Sequence, residues 1–387
     1  MAIIRQRYTP YGGAERFVEG ALEALLERGI AISLYTRQWP QTRLQLIEPV
    51  ICNPFYIGRL WRDWSFARAV CHAVAAKAPE LVQSHERLLC CDVYRAGDGV
   101  HRAFLDERLR KATAFRRWLT EWSPYHRYVL SVEQRLFASP LLRAVICNSK
   151  MVRQEIHERF GVPLEKLPVV YNAVDSEAFS PALREHGPAI RQVLRVPEDA
   201  TLFLLVGSGY ARKGVATAIR ALSRLADNTF LAVVGRDKAL GAYGRLARQL
   251  GVEQRVALLG PREDTKPFYG AADAFLLPTI YDPCPNAALE AMACGLPVIT
   301  TTKCGAAELV NEHEAGLVCA ARDVHALARH MTTLTDAPTR VAMGTRAREA
   351  VLPLTPAAMT LQLALLYRDL LAAAHAAKAP APAAAAL

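Results

Sequence analysis

Short apolar runs rich in Val, Ile and Leu alternate along the chain with segments whose apolar residues recur every three to four positions. AIIRQRY, GAERFVEGALEALLERG and IAISLYTR come first, a strand, a helix and a strand by their periods. Further strand-like runs are LVQSH at 81–85, AVICNS at 144–149, PVVYNAV at 168–174, TLFLLVG at 201–207, TFLAVVG at 229–235, RVALLG at 255–260, AFLLPT at 274–279 and PVITTT at 297–302. Runs apolar at nearly every position suit strands covered on both faces, with the intervening helices as covers. The pattern predicts an α/β fold built on doubly wound parallel sheets.

SEAFSPALREHGPAIRQVLRVPEDA, polar and proline-bearing, separates two sets of strands and reads as a boundary. A chain of 387 residues agrees with two domains. The predicted divisions are an N-terminal Rossmann-like domain at 1–170, a C-terminal one at 171–355, a helix at 356–375 and a low-complexity tail at 376–387, expected to be disordered. With no nucleophile triad in view, the ligand is expected between the domains, at the carboxyl ends of the strands.

Composition narrows the classes. At 52% hydrophobic and 22% charged the chain has the make-up of a soluble globular protein. It shows no apolar run near the ~20 residues that span a bilayer, and MAIIRQRYTPYGG lacks the order of a signal peptide. Nine cysteines at 52, 71, 90, 91, 147, 284, 294, 304 and 319, with no C-x-x-C spacing, point to a reducing compartment and no metal site. The expected location is the cytoplasm. A net charge of +10 asks for an acidic partner: nucleic acid, an anionic membrane surface or a phosphorylated substrate. No zinc-finger, RNP-like or homeodomain pattern accompanies it, so nucleic acid is not expected.

Three strand-to-helix loops carry candidate chemistry. In TPYGGAERF, Gly12 and Gly13 open a helix, which suits either a tight turn or close approach of a phosphate to free amides. In VGSGYARKG, Arg212 and Lys213 follow a strand and precede Gly214; a solvated turn would explain them, and so would neutralisation of a departing diphosphate. In YDPCPNAALEAMACGLPV the prolines place Asp282 in a loop, Asn286 at a plausible N-cap and Glu290 about one turn into a helix. The amides of Asn286, Ala287 and Ala288 are then left for a phosphate, while two carboxylates face the cleft to accept hydrogen bonds from a sugar and a ribose. Residues 101–137 add eight Lys or Arg to four Asp or Glu, interleaved with Trp118, Trp122, Tyr125 and Tyr128. Such helices either pack their aromatics inward or lie on an anionic membrane, with Arg110, Lys111, Arg116 and Arg117 as contacts.

The spacing in DPCPNAALEAMACGLPVI, the GG and RKG loops, ICNSKMVRQEI and VVYNAVDSEAF together resemble the retaining GT-B glycosyltransferases of the family four type, over about residues 3–370. VGSGYARKGVATAIRAL, VVGRDKALGAYGRLARQLGV and CDVYRAGDG are most similar to the lipopolysaccharide core heptose glucosyltransferases within it. The resemblance implies two Rossmann-like domains facing across a cleft, with the C-terminal helix crossing back to the first. It implies a nucleotide-sugar donor, UDP-glucose favoured, a lipid-linked glycan acceptor, retention at the anomeric carbon and no essential metal or cofactor. The enzyme would work on the inner face of the inner membrane. Gly12, Gly13, Arg212 and Lys213 would meet the diphosphate, Asp282 the hexose, Glu290 the ribose and Arg262 the base. Arg212 would replace an arginine expected near Ser208, and Asp282 stands where the family usually has glutamate. Asp98 would face the reacting centre, with His85 and His101 touching donor or acceptor. GDP-mannose or UDP-N-acetylglucosamine donors in capsule or O-antigen synthesis, and a non-catalytic nucleotide-sugar or nucleic-acid binding protein, remain as alternatives.

Overall fold

The computed structural model describes residues 1–7, 30–39 and 49–378, so the glycine pair at 12 and 13 and the helix predicted after it lie outside the described residues. Among the described residues there are two six-stranded sheets, parallel throughout. The first contains β1 (Ala2–Ile4), β2 (Ser33–Thr36), β3 (Pro49–Ile51), β4 (Val82–Ser84), β5 (Val93–Arg95) and β6 (Ala144–Ile146) in the order β3-β2-β1-β4-β5-β6. The second contains β7 (Thr201–Val206), β8 (Thr229–Val234), β9 (Val256–Gly260), β10 (Ala274–Leu276), β11 (Val298–Thr301) and β12 (Gly316–Cys319) in the order β12-β11-β10-β7-β8-β9. The central strands are buried on both faces, which is why their sequences read as continuous apolar runs rather than alternations.

Several expectations are corrected. PVVYNAV forms no strand: Pro168 has no amide to give a ladder, and only Val169 bridges Cys147 before the chain crosses to the second domain. The polar segment expected to be a linker is folded, because its helix Gly187–Leu194 packs on the Lys266–Ala271 helix and Phe179 and Val196 enter the second core. The chain crosses between the sheets at 170–174, next to the division expected at 170/171, and returns beside that crossing, where the amide of Val174 donates to Leu354 O at 2.9 Å. Cys71 and Cys90 form a disulfide, a pairing their 19-residue separation does not announce; the other seven cysteines are buried thiols.

The last helix, Pro356–Lys378, places Met359, Leu363 and Tyr367 in one cluster with Ile3, Leu34, Leu81, Val93 and Ile146 of the first sheet. Tyr367 donates to Gln83, and Arg143 to the carbonyl of Leu370. Among the described residues one stretch, Ala337–Ala373, is by length and composition apolar enough to cross a membrane, contrary to the expectation of no such run. Its C-terminal part covers the N-terminal sheet instead. The tail predicted from 376 onward lies outside the described residues beyond 378.

The domains interlock through the loop before the Asn286–Ala293 helix. Tyr281 belongs to the second domain by sequence but sits in the core of the first, 2% exposed. Its hydroxyl accepts from the Val100 amide at 2.8 Å and donates to Glu155 at 2.8 Å. Gly99 is required beneath it: φ is +67°, and a Cβ there would lie 2.4 Å from the tyrosine oxygen.

Candidate active site

In the second sheet the chain runs from β7 through β8 to β9 on one side, then returns to β10 on the other. A crevice must open between the loops after β7 and β10, the topological switch point. A cavity of about 750 Å³ lies there, walled by Ser208, Arg212, Lys213, Arg262, Asn286, Ala287 and Glu290, with Phe179, Gly207 and Lys266 also contributing. Most of the predicted donor residues are thus brought together. Ala288 is fully buried behind them, and Asp282 is not in the wall.

Arg212 and Lys213 occupy a one-turn helix, Tyr210–Lys213, rather than a loop. The Lys213 stem lies over Gly207, where a Cβ would sit 2.6 Å from Cε. Both cations reach Asp282: its Oδ2 accepts from Arg212 Nη1 at 2.9 Å and from Lys213 Nζ at 2.6 Å. Burial alone would raise this carboxyl, but the Lys213 and Arg212 charges outweigh burial and hold it below its ordinary range. The loop is pinned on its other side, where Gly305 N donates to Asp282 O at 2.9 Å.

Glu290 is 7% exposed and faces the cavity. Tyr269 Oη donates to its Oε2 at 2.9 Å, which orients the carboxylate. Asn286 is the first helical residue rather than the cap, which falls on Pro285, because its side chain is engaged elsewhere. Arg95 on β5 donates to Asn172 Oδ1 at 2.7 Å, and Asn172 Nδ2 donates to Asn286 Oδ1 at 2.7 Å. That polar chain runs from the first sheet to the start of the Asn286–Ala293 helix. Tyr269, Asn172 and Arg95 are missing from the sequence-derived set. Asn172 lies in a segment singled out for its likeness, but nothing local marks Tyr269 or Arg95.

A second, smaller cavity of about 180 Å³ opens beside the switch point of the first sheet, between β1 and β4. Asp98 and His101 line it with Arg62, Asp63, Glu86 and Arg87. His85 does not; its ring is buried and faces Gln83 at 3.1 Å. His101 Nε2 lies 3.0 Å from His126 Nδ1. Burial, then the Arg87 and His126 charges, push His101 down to about 3, and burial also depresses His126. Below an unfolded value of about 6.5 the unfolded chain therefore takes up protons that the folded pair refuses, so stability falls with pH through that window. Thermal unfolding at about pH 7 and about pH 5 should show a smaller loss of Tm in His101→Gln than in the wild type. An equal loss would place the acid sensitivity elsewhere. Burial raises the nearby Glu86, which acts in the opposite sense and is common to both proteins.

Arg110, Lys111, Arg116 and Arg117 are exposed. The Ala114–Glu121 helix buries no side chain, and Phe115, Trp118 and Trp122 around it are 68%, 52% and 61% exposed. Of the two arrangements open to this stretch, inward packing holds for the next helix, Pro124–Phe137, through Val129, Val132, Leu136 and Phe137, but not for this one. No group of three or more His, Cys, Asp or Glu among the described residues is arranged to hold a metal.

Two parallel α/β domains, each opening a cavity at its switch point and joined by a returning C-terminal helix, define a GT-B protein. Family models for Glycosyltransferase Family 4 and Glycosyl transferases group 1 match residues 11–178 and 187–350, and the chain belongs to these GT-B glycosyltransferases. It is 25% identical over 360 residues to the lipopolysaccharide glucosyltransferase WaaG of Escherichia coli, covering 90% of this chain and 93% of that protein. It is 34% identical over 139 residues to the lipopolysaccharide core biosynthesis glycosyltransferase LpsE of Rhizobium meliloti, 36% of this chain and 41% of the relative. The WaaG crystal structure superposes with a TM-score of 0.79 at 23% identity, covering 93% of this chain and 98% of that one. Anabaena HepE in complex with UDP-glucose gives 0.73 at 20% identity, covering 95% and 99%. These two structural likenesses bear on the fold.

Proposed function

We propose that this glycosyltransferase moves a hexose, glucose foremost, from a UDP-sugar to a lipopolysaccharide-core or similar lipid-linked glycan, with retention at the anomeric carbon. The observation that carries it is the convergence of Arg212, Lys213, the helix-start amides at Asn286 and Ala287, and Glu290 on one cavity at the switch point. Cations and amides there suit a diphosphate, and an oriented carboxylate suits a ribose diol. The names of WaaG and LpsE support the acceptor class, and the HepE complex supports the donor.

In the free enzyme the Asp282 carboxylate serves as counter-ion for both cations. When the diphosphate arrives, Arg212 and Lys213 turn to it, and Asp282 is released toward the hexose hydroxyls. Ser208 faces the diphosphate, to which the sequence resemblance also assigns Gly12 and Gly13, and Arg262 flanks the base. The Ala288 amide is not available to it, because it donates to Pro285 O at 3.0 Å. The bond from the anomeric carbon to the diphosphate oxygen breaks while the acceptor oxygen bonds to that carbon on the same face. The acceptor proton passes to the leaving diphosphate. Arg212 and Lys213 stabilise the growing negative charge, the task a divalent metal has in other transferases, and Asp98, at the first-domain cavity, orients the acceptor or offsets positive charge on the sugar. His101 borders that pocket, whereas His85, buried against Gln83, has no assigned contact with donor or acceptor. The exposed Ala114–Glu121 helix with Arg110, Lys111, Arg116 and Arg117 rests on the anionic cytoplasmic face of the inner membrane.

A nucleotide panel tests the donor assignment. UDP at ~100 times its Kd should stabilise the protein by about 2.7 kcal/mol in thermal unfolding, with GDP and ADP well below that. Preference for GDP would move the donor to a GDP-sugar, and silence toward all three would overturn the transferase site. Transfer is then scored with radiolabelled UDP-glucose and truncated lipopolysaccharide.

A further inference from the structure

One strongly basic cavity takes no part in sugar transfer as assigned above. It measures about 550 Å³ and is lined by Lys111 from the first domain and by Arg220, Arg224, Arg322, Asp323 and His325 from the second. Four permanent cations thus face one acid. That acid is occupied: Asp323 Oδ1 caps the Val324–Thr333 helix by accepting from the Ala326 amide at 2.9 Å. The arginines make hydrogen bonds to neutral acceptors, Arg224 to His325 Nδ1 at 3.0 Å, Arg322 to Glu107 O at 2.6 Å and Arg220 to Ala216 O at 3.4 Å.

Arg220 and Arg224 stand one turn apart at the end of the Val215–Leu222 helix, where the helix dipole favours cations. That accounts for their presence but not for the rest of the cluster. Like charges at this spacing repel. Arg322 comes from a different element and holds φ at +66°, a backbone conformation that residues with a Cβ rarely adopt. Lys111 comes from the other domain.

We propose that Lys111, Arg220, Arg224, Arg322 and His325 form a second anion site, for a phosphate-bearing ligand that bridges the two domains. Guanidinium forks from separate elements match phosphate oxygens, and a bound phosphate would relieve the mutual repulsion of the cations. The site lies at the opposite end of the Val215–Leu222 helix from Lys213, so a diphosphate donor does not fill both. Lys111 leads directly into the exposed aromatic Ala114–Glu121 helix, which favours an anionic lipid headgroup as the source of the phosphate. Only that choice of source rests on the membrane placement made above.

The test titrates inorganic pyrophosphate by calorimetry into the whole protein, Lys213→Ala, Arg220→Ser/Arg224→Ser, and the charge-matched control Lys166→Ser/Arg368→Ser. Lys166 and Arg368 are exposed and lie outside the cavity. Two binding events are expected, with the second lost only in Arg220→Ser/Arg224→Ser, while UDP binding persists there. A single event abolished by Lys213→Ala and untouched in Arg220→Ser/Arg224→Ser overturns the second site and leaves the donor site standing. A single event with the reverse dependence supports the second site and sinks the donor assignment. Sedimentation with phosphatidylglycerol and phosphatidylcholine vesicles then separates the sources. Loss of phosphatidylglycerol binding beyond the control assigns a lipid headgroup, and unchanged vesicle binding with the pyrophosphate event lost assigns a soluble phosphate compound.

Discussion

Lys213→Ala is expected to lower kcat by about 10²–10³-fold while changing donor KM by less than roughly tenfold. The Lys213 stem is held over Gly207 in the cavity wall, so on the proposed mechanism the ammonium needs only to exchange Asp282 for the diphosphate before charge develops on the leaving group. Its greatest effect therefore falls on the transition state. Steady-state kinetics with UDP-glucose reads the split, and a change confined to KM would assign Lys213 to ground-state binding instead. Lys213 is 7% exposed, so a melting curve of the variant must accompany the kinetics. Arg212 remains within 2.9 Å of Asp282, and the buried carboxylate keeps a partner.

The second large effect is expected on membrane binding. Each cation close to an anionic surface contributes about 1 kcal/mol, so replacing Arg110, Lys111, Arg116 and Arg117 by serine should weaken partition onto phosphatidylglycerol vesicles by up to roughly a thousandfold at low salt. Raising the salt should narrow the gap between variant and wild type, because these side chains are solvent-exposed and screened. Unchanged sedimentation at low and moderate salt would overturn the membrane assignment. The four residues lie outside the buried clusters, so the fold should survive the change.

Much of the architecture was legible because parallel strands covered on both faces leave an uninterrupted apolar signature, as in Thr201–Val206 and Thr229–Val234. Short or edge elements escaped for the same reason. Pro49–Ile51 and Gly316–Cys319 are edge strands of three and four residues that are only partly buried, so they carry no long run of the kind that marks the central strands. Within the site, Arg212, Lys213 and Glu290 stood out as charges in apolar surroundings, and the structure gathers them around one cavity. Contacts made across long sequence distances left no local trace. Asp282 meets Arg212 and Lys213 from about seventy residues away, Tyr269 orients Glu290 from another helix, and Cys71 finds Cys90 only after the chain has passed through β4.

Tyr281 adjoins Asp282 in sequence, yet its ring is a piece of the first domain's interior, keyed to Gly99 and the Val100 amide next to Asp98. The two halves are consequently poor modules for exchange. A second domain grafted from a relative would have to bring an aromatic residue cut to the same socket, and a grafted first domain would have to arrive with glycine beneath it. New sugar specificity is therefore more accessible by altering cavity walls than by shuffling lobes.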